Sequence, residues 1–228
     1  MLKREVAFQN KDTLAYRFRS RRMRVFEDFV RQHCEEKLNR GEPIRILDMG
    51  GTYLFWSALD FKYQAQSEIT LVNLSPLELP DNAPANVHSI QGDATNLPFI
   101  PERSYDVAFS NSCIEHVGQK PEWEKMAREM MRIGRCYFLQ TPNRHFPIDP
   151  HGPFVPLLHL MPTEARIFIL RHLKSLNLTS REQAIRKIDN SAHMLTYRDL
   201  RSLFPKGTVL REKFMGLTKS FMVYGDCE

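Results

Sequence analysis

Apolar residues recur along this chain with two different periods. Over residues 12–39 they fall three and four apart: Leu14, Phe18, Val25, Phe29 and Val30 share one stripe, and arginines take much of the rest. That spacing predicts a helical segment with one buried side, broken near Ser20 and ended by Asn39-Arg40-Gly41 ahead of Pro43. From Ile44 the pattern changes. Ile44-Arg45-Ile46-Leu47-Asp48-Met49 is a short apolar run closing on Gly50-Gly51, which reads as a strand followed by a glycine turn. Residues 69–74, 87–90, 105–110 and 136–140 read as further strands, the second of these being the shortest. Residues 121–133 predict an amphipathic helix, with Pro121 near its start and Trp123, Met126, Met130 and Ile133 on one face.

Strands that alternate with helices imply right-handed crossovers and a parallel sheet covered on both faces. The alternation stops after residue 140. Prolines then crowd the chain at Pro142, Pro147, Pro150, Pro153, Pro156 and Pro162, among about three helical stretches. Residues 141–207 are therefore expected to form a helical cap, with Ala165, Ile167, Phe168, Ile169, Leu173 and Leu176 as its own core. Residues 208–214 and 219–224 are strand-like and flank Met215-Gly216-Leu217-Thr218. So short a linker cannot hold a crossover helix, so these two strands form an antiparallel hairpin. The expected fold class is α/β: one domain over residues 1–228, a three-layer, doubly wound, mostly parallel sheet with an antiparallel terminal hairpin and a cap insertion.

Composition narrows the picture. Of 228 residues, 42% are hydrophobic and 26% charged, which excludes a disordered or fibrous chain. No apolar run is long enough to span a bilayer, so no membrane association is expected. Met1-Leu2-Lys3-Arg4-Glu5-Val6 lacks a signal-peptide pattern, and Cys34, Cys113, Cys136 and Cys227 sit at no metal or redox spacing. Both point to a cytoplasmic protein with reduced thiols. The net charge of +5 resides wholly in residues 1–40, most densely in Arg17-Phe18-Arg19-Ser20-Arg21-Arg22-Met23-Arg24. That segment is either a solvated helix face or a surface for phosphate, carboxylate or nucleic acid.

In an open parallel sheet, ligands bind at the carboxyl ends of the strands. Asp48-Met49-Gly50-Gly51-Thr52 occupies such an end, and its glycines let a ligand approach the backbone. The dinucleotide fingerprint G-x-G-x-x-G is absent, because Thr52 and Phe55 stand where glycines should follow Gly50. Asn73-Leu74 closes the second strand, Gly92-Asp93-Ala94 follows the third, and Asn111-Ser112-Cys113-Ile114-Glu115-His116 follows the fourth. The loops should converge on one crevice.

This series, with Tyr105-Asp106-Val107 leading to Glu115-His116-Val117, resembles the class I S-adenosylmethionine-dependent methyltransferases. The resemblance covers residues 40–140, and the closing hairpin fits that family's seven-stranded sheet. It implies that residues 41–140 are a cofactor-binding half, that S-adenosylmethionine is the cofactor and that S-adenosylhomocysteine is the product. Asp48, Gly50 and Gly51 would face the methionine moiety, with Thr52 beside them. Asn73 would take the place of the usual ribose-binding carboxylate, next to Leu74. Asp93 and Ala94 would read adenine, and Asn111 and Ser112 would floor the site beneath the sulfonium. The turn also lacks a further glycine that the family usually carries near Tyr53 or Leu54.

Methyl transfer from a sulfonium is an in-line displacement that needs alignment, exclusion of water and, for some acceptors, a base. The base is expected to be His151 or His116, with Glu115, His145 and Asp149 on the substrate side and no metal. Tyr16 and Arg17 would close over the site if the N-terminal helix folds back. The expected function is methyl transfer to an oxygen or nitrogen of a small-molecule partner, with a homodimer allowed. Two alternatives stay open: an RNA methyltransferase using the arginine segment, or a non-catalytic methyltransferase-like binding protein.

Overall fold

The computed structural model describes residues 10–149, 155–173, 176, 178, 180–189 and 192–227. Seven strands form one sheet: β1 (Ile44–Met49), β2 (Ser67–Asn73), β3 (Val87–Gln91), β4 (Tyr105–Asn111), β5 (Gly134–Pro142), β6 (Thr208–Phe214) and β7 (Leu217–Asp226). Their order is β3-β2-β1-β4-β5-β7-β6. The first five pair in parallel, and β7 runs antiparallel to both its neighbours. The chain walks outward from β1 to β3 and then returns to lay β4 on the other side of β1. The strand order thus reverses at the carboxyl ends of β1 and β4, where a doubly wound sheet opens a crevice.

The helices are α1 (Leu14–His33), α2 (Glu35–Arg40), α3 (Tyr53–Ala58), α4 (Lys120–Ile133), α5 (Thr163–His172), α6 (Arg181–Asp189) and α7 (Tyr197–Leu203). α1 and α3 cover one face of the sheet, where Met23, Phe26, Phe29, Val30 and Trp56 pack on Phe109 and Phe138. α4 and α7 cover the other face with Trp123, Met126, Met130, Ile133, Leu200 and Leu203. The predicted inner face of α4 is therefore the buried one.

Several expectations are corrected. α1 runs unbroken through Ser20 and is interrupted only at Cys34, before Gly41 ends α2 in a left-handed conformation. Its buried stripe centres on Phe26, whose ring lies 4.6–6.2 Å from those of Phe29, Trp56, Phe61, Phe109 and Phe138. That packing outweighs the weak helix preference of Ser20. Leu14, expected in the stripe, is 51% exposed. No helix separates β2 from β3 or β3 from β4. Pro76, Pro80 and Pro84 in the first connection, and Pro98 and Pro101 in the second, remove donors and bias their predecessors toward extended backbone. The closing hairpin turns in two residues rather than four: Met215 and Gly216 have φ of 49° and 81°, the left-handed pair of a type I′ turn, with Phe214 opposite Leu217. In the cap, Leu158, Ile167, Leu170 and Ala184 form a small separate core, and Phe168 points outward.

α1 lies antiparallel to β5. Its Arg22 bonds Glu212 near the end of β6, opposite Ser220, which in turn faces Pro142 at the carboxyl end of β5. Its His33 reaches Asp226, which faces Cys136 near the start of β5. The first turn of α1 is thereby brought to the carboxyl edge of the sheet.

Candidate active site at the carboxyl edge

β1 delivers Asp48 and then the glycine turn. Gly50 adopts φ of +80°, and its N–H donates to the Val72 carbonyl at 2.8 Å. A Cβ at Gly50 would strike the Cys113 side chain, and one at Gly51 would strike the Asp48 carboxylate. Both positions need glycine for space, on different sides of the turn. Asp48 is 1% exposed. Its Oδ2 accepts from Trp56 Nε1 at 2.8 Å, whereas its Oδ1 is buried with no hydrogen-bond partner among the described residues. Burial pushes this carboxyl up to about 7, against the pull of the Trp56 N–H.

The neighbouring loops are tied to this turn. Asn73 Nδ2 donates to the Gly51 carbonyl at 2.9 Å, and the Asn73 carbonyl accepts from the Gly92 N–H at 2.8 Å. Leu74 and Thr52 are exposed, and Ala94 is buried. Asp93 is exposed, and its Oδ1 accepts from both N and Oγ1 of Thr95 at 2.8 Å, closing its own turn. From β4, Ser110 Oγ donates to the Met49 carbonyl at 3.1 Å. Asn111 is half-buried, and Ser112, at φ of 56°, donates through N and Oγ to the carbonyl and side-chain oxygens of Gln140 at 2.9 and 2.8 Å.

Cys113 sits where these loops meet. Burial first, then Glu115 and Asp48, with Asp93 adding less, pushes its thiol up to about 12, so it is inert as a nucleophile. Glu115 is wholly buried; its Oε2 accepts from Thr141 Oγ1 at 2.9 Å and its carbonyl from the His193 N–H at 2.7 Å.

The structure thus gathers Asp48, Gly50, Gly51, Asn73 and Cys113. His116 is exposed on the short helical turn Ile114–His116 just after β4. His145 is exposed after β5, Asp149 is 7% exposed, and His151 lies outside the described residues. Tyr16 is half-buried against the α1–α3 face, and Arg17 is exposed. Trp56 and Gln140 escape sequence reasoning, and Cys113 is legible only as part of the loop after β4. An amide at a strand end or an indole in a short helix leaves no spacing signal.

Part of the arginine segment is structural rather than solvated. Arg22 grips Glu212 through Nε and Nη2 at 2.8–3.2 Å, Ser220 Oγ donates to the same carboxylate at 2.6 Å, and Lys219 Nζ stands 3.6 Å away. Burial pushes Glu212 up, but Arg22, Ser220 and Lys219 together bring it below the usual carboxylate range.

This strand order, with its reversal beside β1, its antiparallel β7 and a glycine turn over a buried acid, is the Rossmann-like fold of class I methyltransferases. Residues 47–136 match the family model described as a methyltransferase domain. Among solved structures, the CurJ carbon methyltransferase is similar at 13% identity and a TM-score of 0.57, over 97% of this chain and 57% of that one. The C-methyltransferase domain of the citrinin polyketide synthase is similar at 15% identity and a TM-score of 0.52, over 89% and 51%. Burkholderia thailandensis 1,6-didemethyltoxoflavin-N1-methyltransferase, solved with S-adenosylhomocysteine bound, is similar at 15% identity and a TM-score of 0.50, over 90% and 77%. An uncharacterized protein of Mycobacterium tuberculosis is 36% identical over 53 residues, which is 23% of this chain; the match spans 18% of that protein's length. The residues at the glycine turn fit an adenosyl cofactor like the one bound in the Burkholderia thailandensis structure: two glycines keep the turn open, and a buried carboxylate oxygen has no hydrogen-bond partner among the described residues.

Proposed function

We propose that this chain transfers a methyl group from S-adenosylmethionine to an oxygen or nitrogen of a small-molecule acceptor in the cytoplasm. The observation that carries the reading is Asp48: a carboxylate buried under a turn that only glycines can form, with Oδ1 lacking a partner among the described residues. The cofactor supplies a methyl already activated on a sulfonium. The chain's own work is to hold, align and exclude water.

Asp48 Oδ1 accepts from the ammonium of the methionine moiety, which Gly50, Gly51 and Thr52 border. Asn73, its Nδ2 spent on Gly51, offers its side-chain oxygen to a ribose hydroxyl, with Leu74 alongside. Asp93 and Ala94 take the adenine edge, and Asn111 and Ser112 form the floor. Glu115 supports the floor from beneath through Thr141. His116 takes the proton that the acceptor loses, as an imidazole near neutral pH can. His145, Asp149, Tyr16 and Arg17 line the acceptor side. The side chain of Arg22 is taken up by Glu212, which leaves a smaller basic surface for RNA and favours a small acceptor.

Thermal unfolding with S-adenosylhomocysteine tests the reading. At a hundred times its dissociation constant the ligand should add about 2.7 kcal/mol of stability, and a nicotinamide dinucleotide should add none. His116→Ala should keep this shift and lose turnover. A protein that ignores the adenosyl ligand is not a methyltransferase.

A further inference from the structure

A cavity of about 450 Å³ opens between the start of α4 and the cap; Lys120, Trp123, Arg144, His159, Arg166 and Asp199 are among its lining residues. Its size is that of a small-molecule site. Lys120 and Trp123 follow β4, and Arg144 follows β5, so the same sheet edge that carries the glycine turn supplies this wall.

The lining is unbalanced in charge. Among the described residues neither Lys120 nor Arg144 has an ion-pair partner, and the lining carboxylate is engaged: Asp199 Oδ2 accepts from Thr196 N and Oγ1 at 2.8 and 2.7 Å as the cap of α7. Trp123 is 8% exposed, and its Nε1 is buried with no hydrogen-bond partner among the described residues. His159 Nε2 lies 2.8 Å from the Arg144 carbonyl. A carbonyl only accepts, so Nε2 carries a hydrogen, and the buried Nδ1 of the same ring has no partner among the described residues. A buried indole N–H without an acceptor, beside Lys120 and Arg144 without ion-pair partners among the described residues, describes a site suited to an oxyanion.

We propose that this cavity binds an anionic group of the acceptor, a phosphate or a carboxylate, with Lys120 and Arg144 as its principal charges and Trp123 Nε1 as a neutral donor. The word acceptor rests on the methyl-transfer reading above; the anion site itself does not. Lys120 and Arg144 are exposed, so replacing them leaves the packing of α4 intact.

The test titrates the protein with inorganic phosphate, and separately with acetate, at ionic strength held constant with chloride. Tryptophan fluorescence reads Trp123 together with Trp56, and thermal unfolding gives a second readout. One anion should produce a saturable change and a rise in unfolding temperature. The Lys120→Gln, Arg144→Gln double variant should weaken that anion by roughly tenfold or more while keeping its affinity for S-adenosylhomocysteine. Which anion saturates identifies the group. Responses no different from chloride, or a double variant that responds like the parent, overturn the proposal. S-adenosylhomocysteine binding without an anion response removes this inference alone; an anion response without it removes the methyl-transfer reading and leaves the anion site.

Discussion

Asp48 and Glu212 are carboxylates at the carboxyl edge of the same sheet, 1% and 4% exposed. Glu212 receives a forked guanidinium, a hydroxyl and a nearby ammonium, and is held below the usual carboxylate range. Asp48 receives one indole N–H and is pushed up to about 7. The difference is one of supply. At Glu212 the chain provides every partner that offsets desolvation, so the group holds the fold together. At Asp48 one oxygen is left without a donor, so the folded chain carries a cost that a bound ligand can relieve.

The largest effect should come from removing the Asp48 charge. Its folded value lies above the unfolded 3.8, so the folded state keeps the proton longer and stability falls as pH rises from about 4 to about 7. Asp48→Asn should therefore gain up to about 4 kcal/mol over the parent above pH 7, and nothing below pH 4, in denaturant titrations. The same variant should lose most of its affinity for S-adenosylhomocysteine. In the parent that affinity should rise as pH rises through about 7, because only the ionised form of Asp48 attracts an ammonium. A variant with no stability gain, or a parent whose affinity is flat in pH, breaks the comparison.

Glu212→Gln should act in the opposite sense and lose about 3 kcal/mol at neutral pH, because it strands Arg22 in a partly buried site. Here the folded value is depressed, so the stabilisation is present above the unfolded value near 4.5 and fades as pH falls through the folded one. The gap between parent and variant should close in acid. A gap independent of pH would mean that packing, not charge, holds this corner.

Asn73→Asp gives the smallest effect and sharpens the contrast. In families of this fold an acid at this place reads ribose, so the change looks like a repair. Here the amide donates to the Gly51 carbonyl, and a carboxylate would face that carbonyl instead. Calorimetry and unfolding should show a loss of about 1 kcal/mol in stability and no gain in cofactor affinity.

Much of this was legible in residue pattern. The five parallel strands and the hairpin announce themselves by short apolar runs that stop at glycine, proline or polar clusters. The glycine turn was equally plain, since Gly50 and Gly51 directly follow a strand. What the pattern hides is distance-dependent. Phe26 packs on Trp56, Phe61, Phe109 and Phe138, all beyond α1, so nothing near Ser20 tells that α1 continues. The Asn73 tie to Gly51 spans 22 residues and has no local signature. The missing helices after β2 and β3 are legible in Pro76, Pro80 and Pro84 and in Pro98 and Pro101, whose cost to helix formation overrides the alternation of the fold. The cationic cavity draws its walls from segments as far apart as Lys120 and Asp199, and only the folded cap assembles them.

The grip of Arg22 on Glu212 also bears on the order in which the molecule can be made. The two residues stand 190 positions apart, so a ribosome releases the arginine long before its partner exists. α1 can find Phe109 and Phe138 earlier, but its guanidinium has no counter-charge at that corner until the final hairpin is synthesised. A nascent chain halted short of residue 212 thus carries an unlatched first helix, accessible to chaperones and proteases. Completion of β6 and β7 closes the latch.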